Sequence, residues 1–72
     1  MKTVLVFKTS VSKKKEVRQL KPVLNELLPK GDFWNFDLED CDNILRVETQ
    51  TLHPTLVLNA LHTMGYVCEE LD

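Results

Sequence analysis

Two stretches with apolar residues at helical spacing, Val17 to Leu28 and Val57 to Met64, each stand between short runs of strand-forming residues. This alternation constrains the fold more than any other feature. A period of 3.6 does not lie flat in a sheet, and a period of 2 does not wind into an amphipathic helix. Thr3 to Thr9 reads as the first strand, with β-branched and aromatic residues between two lysines. Both parities are apolar, Val4 and Val6 against Leu5 and Phe7, which predicts a central strand without saying which side is core.

The first helix is expected to take Ser12 as its N-cap and to show one apolar face of Val17, Leu20, Leu24, Leu27 and Leu28, widened by Val23. Pro22 falls inside it. Proline lacks the helical N–H and crowds the preceding turn, so a bend is expected between Arg18 and Pro22. Pro29-Lys30-Gly31 ends the helix. Phe33 to Glu39 alternates, with Trp34, Phe36 and Leu38 on one side. Asp40-Cys41-Asp42-Asn43 has turn composition, and Ile44 to Thr49 returns with Leu45 and Val47 inward and Arg46 and Glu48 outward. His53-Pro54 opens the second helix, whose core face is expected to be Val57, Ala60, Leu61 and Met64, and Gly65 stops it. Val67 to Leu71 is a short last strand. The order βαββαβ predicts an α+β ferredoxin-like sandwich: a four-stranded antiparallel sheet with both helices on one face. On the uncovered face, Val6 or Phe7, Phe33 and Ile44 are the expected apolar residues.

Seventy-two residues are read as a single domain, 1–72, with a small core, no room for a large cofactor and no cofactor expected. The net charge of -2 argues against general nucleic-acid affinity. Cys41 and Cys68 are read as reduced thiols of a cytoplasmic protein, because a small secreted scaffold would carry more cysteines. The apolar run Val4 to Phe7 is too short for a signal peptide or a membrane span, so no membrane association is expected. G-x-S-x-G, a Gly-rich phosphate loop and H-x-x-x-H are all missing from the sequence, and no serine has a credible base near it. Asp40 and Asp42 read as turn formers, and His53 and His62 as solvated side chains. No enzyme is expected.

The junction from Lys8 to Glu16 carries the candidate functional residues Ser10, Ser12, Lys13, Lys14, Lys15 and Glu16. Three lysines at a helix start oppose the macrodipole, and together with unsatisfied N–H groups they suit an anion or an acidic patch on a partner. The competing reading is a solvated run offset by Glu16 and the acidic hairpin.

Beyond its element order, the chain resembles the heavy-metal-associated domain family, and the single-domain bacterial copper-chaperone-like members above all. The resemblance rests on Lys8-Thr9, Val17, Pro22-Val23-Leu24-Asn25, Trp34 and Asp37, Ile44-Leu45-x-Val47-Glu48, and Met64-Gly65-Tyr66. It implies soft-metal binding through a C-x-x-C pair between the first strand and first helix. Two close thiolates there suit Cu(I) and Zn(II). Aligned on Pro22, the two positions are Lys13 and Glu16; aligned on Val17, they are Ser10 and Lys13. Neither register supplies a thiol, and a lysine ammonium has no lone pair for a metal.

No metal site is therefore expected, with Cys41, Cys68 and Met64 as weak alternative ligands. In the strand order 4-1-3-2 the two cysteines fall toward opposite edges, about 10 Å apart or more at ~4.8 Å per strand, too far for one ion or a disulfide. The expected function is a non-catalytic interaction or regulatory module with a degenerate metal site, meeting a protein partner or a second copy through its sheet face or an edge strand. The alternative is metal trafficking through non-standard ligands.

Overall fold

The computed structural model describes residues 2–39 and 43–71. Six elements follow in the expected order: β1 (Thr3–Thr9), α1 (Lys14–Leu27), β2 (Phe33–Asp37), β3 (Ile44–Thr49), α2 (Pro54–Thr63) and β4 (Cys68–Leu71). The strands form one antiparallel sheet in the order β2-β3-β1-β4. Strands joined through a helix are therefore not neighbours, as a ferredoxin-like α+β fold requires.

Register decides which residues share a face. On one side Phe7 stands opposite Leu45, and Leu45 opposite Phe36. In the next row Leu5, Val47 and Trp34 line up. These side chains meet Leu20 and Leu24 of α1 and Val57 and Leu61 of α2, and all but Leu5, Trp34 and Phe36 are fully buried. The helical spacing of those leucines puts them on the faces that close the core.

On the other side the rows read Val4–Glu48–Phe33, then Leu71–Val6–Arg46–Asn35, then Glu69–Lys8–Ile44–Asp37. Val6, not Phe7, belongs to this open face; Phe7 is core because its parity matches Leu45. Ile44 shares the open face by parity, yet it is buried and stands apart from the core cluster. Phe33 and Val4 stay largely in solvent, at 61% and 53% exposure.

Several boundaries move from their expected places. Lys13, not Ser12, is the N-cap of α1. The helix runs unbroken through Pro22, where Arg18 and Pro22 are both exposed, so the carbonyl that Pro22 cannot serve is open to water. β2 ends at Asp37 rather than Glu39, although Leu38 still packs against the core. Met64 lies beyond α2 as its C-cap and is 41% exposed, so it is not core. Gly65 follows at φ 92, the left-handed backbone that ends a helix and favours glycine. His53 caps α2 through Nδ1, which accepts from Thr55 N at 3.2 Å, and Pro54 takes the first helical position.

Candidate functional site

The β1–α1 junction is built from the core outward. Val11 is fully buried and pins the loop under α1. Before it, Thr9 is a buried polar residue with both hydroxyl roles used: Oγ1 donates to the Asn43 carbonyl at 2.7 Å and accepts from Val11 N at 3.2 Å. Ser10 is locked to the segment ahead of β4. Its N–H donates to the Val67 carbonyl at 3.0 Å, and its Oγ accepts from Val67 N at 2.9 Å. The first loop, the β3 end of the hairpin and the approach to β4 thus gather at one end of the domain.

Glu16 closes the loop. One carboxylate oxygen accepts from Ser12 N at 3.0 Å and from Lys13 N at 3.1 Å. This is the return half of a capping box, in which the third helical residue satisfies N–H groups just outside the helix. The Ser12 N–H does most to hold the Glu16 carboxyl below its ordinary value of 4.5, and the Lys13 N–H and charge add to it against a desolvation that acts in the opposite direction. Glu16 thus occupies two N–H groups that an external anion at this helix start would need. Lys13, Lys14 and Lys15 are all exposed around it.

Neither register of the expected ligand positions carries a thiol, and the thiol next to the loop among the described residues is committed to the core. Cys68 lies opposite Thr9 on β4, is 6% exposed and belongs to the core cluster. Burial pushes its thiol up to about 11, so it is a protonated packing residue at neutral pH. His62 Nε2 lies 3.2 Å from the Cys68 carbonyl, a contact to backbone rather than to sulfur. Cys41 and the turn residues Asp40 and Asp42 lie outside the described residues. Met64 is exposed at the C-cap of α2. Among the described residues, no group of three or more His, Cys, Asp and Glu side chains could hold a metal ion. No helix among them is long and apolar enough to cross a membrane.

A concavity lies elsewhere. A groove of about 570 Å³ runs along the outer edge of β2, floored by Trp34, Phe36, Leu38 and Val17 and rimmed by Lys14, Arg18 and Arg46, with Asp37 and Glu39 toward one end. Its floor is braced: Trp34 Nε1 donates to Asn25 Oδ1 of α1 at 2.8 Å, and Trp34 and Phe36 meet edge to face at 5.9 Å between ring centroids. The alternation of β2 puts Trp34, Phe36 and Leu38 on one side of the strand and does not show the groove. Its signal was there in the aromatic pair of a strand that ends the sheet order.

Comparison of the chain with protein-family models, with curated proteins and with solved structures found no match.

Proposed function

We propose that this chain is a non-catalytic interaction module of the heavy-metal-associated type whose thiolate site is gone, keeping its cysteines as reduced thiols in the cytoplasm. The observation that carries the reading is the closed β1–α1 junction. Where that family would use sulfur, this chain has Lys13 and Glu16, or Ser10 and Lys13. Glu16 is turned back onto the loop's own N–H groups, and Ser10 is spent on Val67. The nearest described thiol, Cys68, is buried and held protonated. A loop satisfied internally presents charge to its surroundings rather than ligands to an ion.

Titration of the reduced protein with Cu(I) and with Zn(II), each in competition with a chelator, tests this reading. The expected result is that neither metal is retained at one equivalent per chain. Tight one-to-one binding, lost in Cys41→Ser or Cys68→Ser, would overturn it.

A further inference from the structure

The two edges of the sheet differ in how well they are protected against pairing. β4 is four residues long, and its exposed positions include Glu69 and Glu70. Short edges bearing charge resist the addition of another strand. β2 is the opposite edge and reads Phe-Trp-Asn-Phe-Asp, with neither a lysine nor a proline and its only charge at its last residue. Its outer side carries no strand among the described residues. The groove reaches that edge from both faces of the sheet, since it is lined by Val17 and Arg18 on the helix side and by Asn35 and Arg46 on the open face. Strand addition draws affinity from the backbone and specificity from pockets that take alternate side chains.

The charge along the groove selects the occupant. Lys14, Arg18 and Arg46 rim it and are exposed, Lys13 and Lys15 flank Lys14, and the opposing charges, Asp37 and Glu39, sit together at the hairpin end. We infer that the β2 edge and its groove take an extended segment of a partner protein whose helix-side residues, every second position, are apolar and acidic in turn. Its backbone continues the sheet beyond β2. On that one side its apolar side chains lie on Trp34 and Phe36, and its carboxylates meet Lys14 and Arg18. This assignment rests on the interaction reading above and names the chemistry of the partner.

The test uses a capped peptide in which valine and glutamate take turns at every second position, with serine between them, followed by the fluorescence of Trp34, the only tryptophan. The expected result is a saturable change that weakens at least tenfold in Lys14→Glu/Arg18→Glu, weakens as salt is raised, and vanishes when lysine replaces glutamate in the peptide. Both substituted residues are exposed, and acidic residues suit the first turns of a helix, so the variant keeps its fold, checked by circular dichroism. Acidic and basic peptides acting alike, no change at millimolar peptide, or a dimer in light scattering that competes with the peptide would each overturn the assignment. Those outcomes leave the interaction reading standing, whereas stoichiometric Cu(I) removes that reading itself.

Discussion

β2 and β4 close the same sheet from opposite sides, and they are held in different ways. β4 is tied at its start: Cys68 fills the core opposite Thr9, Ser10 and Val67 exchange two hydrogen bonds, and the rest of the strand is exposed. β2 is tied along its length by side chains, through Trp34 to Asn25 and through Trp34 and Phe36 to the core. The weakly anchored edge carries the protective carboxylates, whereas among the described residues the firmly anchored edge has charge only at its two ends, Lys2 over Phe33 and Asp37. A braced surface with so little edge protection is suited to receiving a strand, because little order has to be gained on binding.

The largest expected effect comes from removing what both edges share. Phe7 stands between Leu45 and Glu70 in register and is fully buried. Phe7→Ala should cost roughly 3–5 kcal/mol, a large share of the stability of so small a domain, and urea denaturation would measure it. A loss below about 1 kcal/mol would mean that the core does not centre on β1.

The edges themselves should separate next. Trp34→Ala removes a half-buried ring and its bond to Asn25, and about 2 kcal/mol is expected, less than for a fully buried ring. Leu71→Ala, at the 37%-exposed end of β4, should cost about 1 kcal/mol, less than the loss of Trp34. Equal costs at the two positions would erase the distinction between the edges.

The smallest effect concerns the junction. The Glu16 carboxyl is held below its ordinary value of 4.5 in the folded chain, so it contributes stability that is present above that pH and lost as pH falls through the lower folded value. Glu16→Gln should flatten this acid limb without touching neutral fluorescence, as acid titrations of both proteins would show. Cys68 works at the other extreme. Its folded pKa is raised from 9.0 to about 11, so its contribution is whole below pH 9 and fades as pH rises toward 11.

Much of the fold was legible because both periodicities were clean. Leu20, Leu24, Leu45 and Val47 fell where helix and strand spacing put them, and Gly65 ended α2 as its backbone freedom suggests. The faces of β1 were not legible, since both of its parities are apolar and only pairing with β3 assigns Phe7 to the core and Val6 to the open side. The cap was misplaced by one residue because serine is the better capping type. The spacing Lys13-x-x-Glu16 held the correct register, since a glutamate at the third helical position reaches back to the cap. Thr9 read as an ordinary strand residue, and its bond to Asn43 joins the end of β1 to the residue ahead of β3, a relation that no local pattern encodes. The groove lies between elements distant in sequence, so its charges came together only through packing.

The most direct measurement is an amide chemical-shift map of the ¹⁵N-labelled protein titrated with the glutamate–valine peptide. If the β2 edge is the working surface, the shifts should gather at Lys14 to Arg18 and at Trp34 to Asp37, leaving Glu69 to Leu71 still. Shifts concentrated on β4 or on the Val4–Glu48–Phe33 row, or none at millimolar peptide, would contradict it.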